Sequence, residues 1–157
     1  MINKNKTVIA LAVTVVVIVL CFVSFYKSRE KTRRISCYSN LHAMGLALKQ
    51  YAQDYGNYLP DKNGAEGLEL LRAYNYLSDY KVYLCPSTGT TMPPGSNGPL
   101  EYKYVDYIYR GGKSMDDRSD SAILWDKPTN HSNYGNILFL DGHVEGRYGQ
   151  DWTRHIR

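Results

Sequence analysis

At 157 residues, with 15 tyrosines and a formal charge of +4, the chain has room for one small domain beside a membrane segment, not for several domains. The charge is lopsided: residues 1–34 hold seven Lys/Arg and one acid (+6), whereas residues 35–157 hold twelve Lys/Arg and fourteen Asp/Glu (−2). A slightly acidic domain with no basic stripe argues against a nucleic-acid partner, and the basic flank is of the kind that meets anionic lipid head groups.

Residues 1–6 form a short polar leader with two lysines. Residues 7–26 carry no charge, and a helix of that length rises about 30 Å, one bilayer hydrocarbon core. The apolar run is longer than that of a cleaved signal peptide, and no small-x-small cleavage site follows it, so an uncleaved anchor is expected. Ile18-Val19-Leu20-Cys21 has the outline of a lipidation box, but Leu20 stands where a small residue is required, which makes Cys21 a lipid-facing side chain. Residues 27–34 (KSREKTRR) are a basic juxtamembrane segment. Its five Lys/Arg, taken alone, place residues 27–157 in the cytoplasm by the positive-inside rule.

From there an apolar stripe follows at Cys37, Leu41, Met44, Leu48, Tyr51 and Tyr55, spaced 4, 3, 4, 3 and 4, which predicts a helix over 35–56 with one face on a sheet. Gly56 is expected as its left-handed stop and Pro60 bars an early restart. Asn63-Gly64-Ala65-Glu66 reads as an N-cap with its acidic partner, opening a short helix through Leu68, Leu71 and Tyr74. Residues 80–84 read as a brief strand, and 87–99 as an exposed turn-rich loop.

The last third predicts an antiparallel sheet over 100–147. Residues 100–110 form a strand in which Tyr102, Tyr104, Tyr107 and Tyr109 cover both faces, and 122–125 form another, stopped by Asp126 to Pro128. Residues 136–140 and 143–147 flank Asp141-Gly142, the signal for a two-residue type I′ hairpin. In that register Leu140 faces His143, Phe139 faces Val144, and Leu138 faces Glu145, which turns Ile137, Phe139 and Val144 toward the long helix.

These elements together resemble type IV pilins and the pseudopilins of type II secretion. Cys37-Tyr38-Ser39-Asn40-Leu41, followed by Gly45, Leu48, Tyr51, Gly56 and Pro60, is similar to a Cys-x-x-Asn-Leu helix of prepilin-type proteins, and Cys85-Pro86-Ser87 to their mid-chain Cys-Pro-Ser. The run from His131 through Asp141, Gly142, His143 and Val144 fits their His-x9-Asp-Gly element. The resemblance implies an α+β fold in which a long N-terminal helix, membrane-spanning in its first half, packs on a small antiparallel sheet. It also implies a single-pass protein of the inner (cytoplasmic) membrane, N-terminus inside and head outside, against the charge count. Its partners would then be the lipid bilayer and other pilin-like subunits or secretion-apparatus proteins. The chain departs from the pilin pattern at its start: no Gly-Phe-Thr-Leu-x-Glu signal precedes the apolar run, and no Asp or Glu lies within 7–26.

Site chemistry is sparse. In an exported domain Cys37 and Cys85 would form a disulfide; in the cytoplasm they would be two small buried residues. Neither has a close-spaced second ligand, so their spacing is no zinc signature. His131, Asp141 and His143 are low-ranked ligands beside their structural roles at the hairpin, with Gly142 in its turn. The loop of Asp116, Asp117 and Asp120 is a second low-ranked place, for calcium, the one cofactor considered. There is no phosphate loop, nucleophile elbow or His-Glu-x-x-His, and the expectation is not an enzyme. Two functions follow: a pseudopilin-like structural or assembly component of a type II secretion or pilus-like apparatus, or a membrane-tethered extracytoplasmic binding module, metal-dependent or not, that forms no filament.

Overall fold

The structure, a computed structural model, describes residues 4–91 and 98–156. Its first element is α1, Lys4–Asp54, so helix already begins within the leader. The chain divides into two compact units, Met1–Thr32 and Arg33–Arg157.

In the first unit, residues 8–26 are exposed on every side of the helix. Such a surface suits lipid or other apolar helices and does not suit water. Thr14, in the middle of the run, satisfies its hydroxyl within the helix, Oγ1 donating to the Ala10 carbonyl at 2.9 Å.

In the second unit the stripe folds as the spacing predicts. Cys37, Leu41, Met44, Leu48 and Tyr51 are buried. Tyr55 is not: it is exposed and stacks on Tyr51 with ring centroids 4.1 Å apart. The helix stops at Gly56, φ +63°, and Asn57, φ +68°, whose N–H returns to the Ala52 carbonyl at 2.8 Å.

The second helix, α2 (Gly64–Ala73), buries Leu68 and Leu71 and leaves Tyr74 exposed. Asn63 holds the N-cap position without capping. Its side-chain oxygen instead accepts the Gly111 N–H at 2.9 Å, which ties the helix start to the end of the first strand. Glu69, three residues beyond Glu66, ties the other end: its carboxylate accepts from Arg72 Nε at 2.9 Å and from the Leu100 N–H at 2.7 Å. Burial raises the Glu69 pKa, but its bonds to Arg72 and Leu100 outweigh that and leave it below the ordinary carboxylate value. Folding therefore favours the ionised form. The stability this adds is present above about pH 4.3, the unfolded value, and is lost as pH falls through the lower folded value. Glu69→Gln is expected to lose about 1 kcal/mol at pH 7 and to converge on the parent once pH has fallen through the folded value, read from urea denaturation at a series of pH values.

Residues 80–83 form a 3-10 turn and not a strand, because Asp79 caps it by accepting the Lys81 N–H at 3.0 Å. The sheet is a four-stranded antiparallel meander of β1 (Tyr107–Tyr109), β2 (Ala122–Asp126), β3 (Tyr134–Phe139) and β4 (Val144–Tyr148), in that order. The expected long strand over 100–110 shrinks to β1. Residues 102–104 wind into a second 3-10 turn, and Asp106 spends its carboxylate on the Cys85 N–H, Thr88 Oγ1 and Thr90 Oγ1, each at 2.8 Å. The four tyrosines thus do not cover two faces of one strand. Tyr107 and Tyr109 are both buried, two residues apart on one face, and Tyr102 is exposed.

The hairpin register is one residue off the expectation. Leu138 pairs with Val144 and Ile137 with Glu145, while the Phe139 N–H meets the His143 carbonyl at 3.0 Å. The loop is therefore three residues, Leu140-Asp141-Gly142, with Gly142 at φ +95° in the position that a three-residue hairpin reserves for glycine. A one-residue slip exchanges the faces. Leu138, Leu140 and Val144 join the core that α1 covers, whereas Ile137 and Phe139 pack with Ala122, Trp125 and Trp152 on the opposite side.

Candidate functional site

Within the second unit, buried polar groups converge where α1, the Cys85 turn and the sheet meet. Cys37 lies on the buried stripe of α1. Cys85 follows the 3-10 turn and is held by the Asp106 carboxylate on its N–H. Asp126 ends β2, Asn136 lies on β3, and His131 sits in the connection between those strands. All five are at most 5% exposed.

The distances are short. The Cys37 and Cys85 sulfurs are 3.0 Å apart, and His131 Nε2 is 3.6 Å from Cys85 Sγ and 3.9 Å from Asp126 Oδ2. Both sulfurs and Nε2 fall within 4.8 Å of one another. Asp126 is fixed by the Asn136 N–H at 2.7 Å, Asn136 Nδ2 at 2.9 Å and Asn130 Nδ2 at 3.4 Å. Asn136 Nδ2 also reaches the Arg34 carbonyl at 3.2 Å, so the same side chain joins β3 to α1. Nearby, the Asn40 amide donates to Tyr107 Oη and to the Leu84 carbonyl, both at 3.0 Å, and fixes α1 against the segment that carries Cys85.

The electrostatics separate the two thiols. The bond from the Cys37 thiol draws the Cys85 pKa down, to about 5 against the opposing effect of burial; the His131 ring and the Ser87 N–H add to it. The same bond, with burial, pushes the Cys37 thiol up. Burial holds the Asp126 carboxyl above its ordinary value, to about 6, although the Asn136 donors and His131 act the other way. Among the described residues this is the one place where cysteine and histidine side chains gather.

The residues singled out in the sequence divide. His131 joins Cys37 and Cys85. Asp141 and His143 pair with each other at the surface, His143 Nδ1 lying 2.6 Å from Asp141 Oδ1, which also accepts the His143 N–H at 3.0 Å. Lys49 donates to the Asp141 carbonyl and joins the hairpin tip to α1. Asp120 is bound by the Arg118 guanidinium, Asp117 accepts the Ser114 N–H at 3.1 Å, and Asp116 lies 3.4 Å from Ser114 Oγ, all exposed. Asp126, Asn136 and Asp106 carried no distinguishing signal. Asp126 looked like a strand stop, and nothing in local spacing shows a carboxylate turned inward. Part of the 87–99 loop, residues 92–97, lies outside the described residues.

Comparison with known proteins adds one family. Residues 27–75 are similar to the family described as "Protein of unknown function (DUF1559)". That stretch holds Cys37 to Leu41, the rest of α1 and α2, but not Cys85 or the His131 to Val144 element. No curated protein matches the chain, and no solved structure does. The long apolar N-terminal helix, the small antiparallel sheet and this family likeness fit a membrane-anchored, pilin-like protein.

Proposed function

We propose that the chain is a pseudopilin-like structural or assembly subunit of a type II secretion or pilus-like apparatus of the inner membrane, its head outside the cytoplasm. The observation that carries this reading is the first half of α1. Residues 8–26 are apolar and exposed on every side of the helix, which suits packing against like helices in a bilayer or a filament core. The second unit supplies a separately packed head for surface contacts. The test places a photo-crosslinking residue at Val13, Val16 or Leu20 in cells that carry the native apparatus. A ladder of crosslinked multimers is expected from at least one position. Full-length chain that stays monomeric from all three would sink the proposal.

A second reading, a tethered binding module outside filaments, draws on the absence of any acid from residues 7–26 and on the buried cysteine–histidine cluster. The same ladder distinguishes the two.

A further inference from the structure

We propose that Cys37, Cys85 and His131 are the ligands of a buried thiophilic divalent ion, zinc being the ion that suits them. The donor set is two thiols and an imidazole, the common chemistry of protein zinc sites. The spacing also fits. Bonds of about 2.3 Å to sulfur and 2.0–2.1 Å to nitrogen set tetrahedral ligand atoms about 3.6 Å apart for S···N and 3.8 Å for S···S. Cys85 Sγ and His131 Nε2 are 3.6 Å apart already. The sulfurs, at 3.0 Å, must open by about 0.8 Å, which a small rotation of either side chain provides.

Burial and charge favour an ion as well. Cys37 is fully buried, Cys85 2% exposed and His131 4% exposed. An isolated charge in such a place is costly, but a divalent ion bound by two thiolates enters without net charge. On binding, each thiol gives its proton to solvent and each sulfur forms one bond to the ion; no oxidation is involved. His131 binds as the neutral ring through Nε2, its proton on Nδ1. The Asp126 carboxylate, 3.9 Å from Nε2 and held by Asn136 and Asn130, stands beside the ligand set as an outer polar partner. A disulfide between the same sulfurs would use neither the imidazole nor the carboxylate. Ion binding here is independent of whether the chain enters filaments.

The test uses the full chain in detergent micelles, reduced and freed of metal, and titrated with Co²⁺ as the visible probe. One equivalent is expected to give the d–d bands of a tetrahedral ion with a near-ultraviolet thiolate band, and Zn²⁺ should displace it. Cys37→Ser and Cys85→Ser should each remove about half of the thiolate band, and His131→Gln should weaken binding about tenfold or more. Parent protein provides a readout that needs no variant: Zn²⁺ should raise its melting temperature. The proposal is overturned if reduced, folded parent gives no such bands. It is also overturned if the bands survive unchanged in the Cys37→Ser/Cys85→Ser double variant, or if protein from native membranes carries a Cys37–Cys85 disulfide that opens only on unfolding.

Discussion

Replacing Asp126 by Ala should destabilise the head by about 3 kcal/mol, a large part of the 5–15 kcal/mol that holds a small domain together. The reason lies in what is left behind. The Asn136 N–H sits in the middle of β3 and gives its hydrogen to the side-chain carboxylate of Asp126, at the end of β2, rather than to a backbone carbonyl. Without that carboxylate it is a buried donor with no acceptor, and Asn136 Nδ2 loses one of its two best partners. Asp126→Asn keeps one acceptor oxygen but turns an amide N–H₂ toward other donors, so an intermediate loss of about 1 kcal/mol is expected. Urea denaturation with reductant and chelator present measures both free of any bound ion. A loss under 1 kcal/mol for Asp126→Ala would mean that β3 re-pairs and the carboxylate is dispensable.

The second large effect runs against helix propensity. In α2, Gly67→Ala should gain up to about 1 kcal/mol on intrinsic preference alone. The packing reverses it. A Cβ at Gly67 would stand 2.1 Å from the Lys62 carbonyl oxygen and 2.6 Å from the Tyr109 ring. The first of these is backbone and cannot swing away, and Tyr109 is pinned by its hydroxyl, which donates to the Pro60 carbonyl at 2.9 Å. Overpacking of this kind costs about 3 kcal/mol or more, so a net loss of about 2 kcal/mol is expected. Gly89→Ala, with nothing among the described residues within 4 Å, is the control and should stay within about 0.5 kcal/mol of the parent. Thermal denaturation followed by circular dichroism reads both; a stabilised Gly67→Ala would refute the close approach of α2 to β1.

Gly67 and Asp126 show where the sequence could be read and where it could not. The stripe from Cys37 to Tyr51 was legible because helix periodicity repeats over many residues and each repeat adds to the signal. The sheet was legible as a class, through its tyrosines and its Asp141-Gly142 turn. Its register was not: a two-residue and a three-residue loop around Asp-Gly differ by one residue, and that residue decides whether Leu138 or Phe139 faces α1. Residues 80–83 read as a strand because local propensity carries no record of the Asp79 cap. The cluster was half visible. Cys37, Cys85 and His131 were each singled out, but in separate constellations, because the two cysteines are 48 positions apart and Cys85 and His131 are 46 apart. Only the fold brings them together.

The Asn136 bond to the Arg34 carbonyl joins residues 102 positions apart, and this separation sets a schedule for the newborn chain. At about 5–20 residues per second, the stripe of α1 leaves the ribosome about 5–20 s before the strands that cover it. For that interval Leu41, Met44 and Leu48 have no sheet to rest on, while the segment ahead of them is already apolar enough for a bilayer. The head closes only when β3 and β4 arrive. The stripe is thus made well before it is covered, and any factor that shelters the nascent chain must hold a naked amphipathic helix until then.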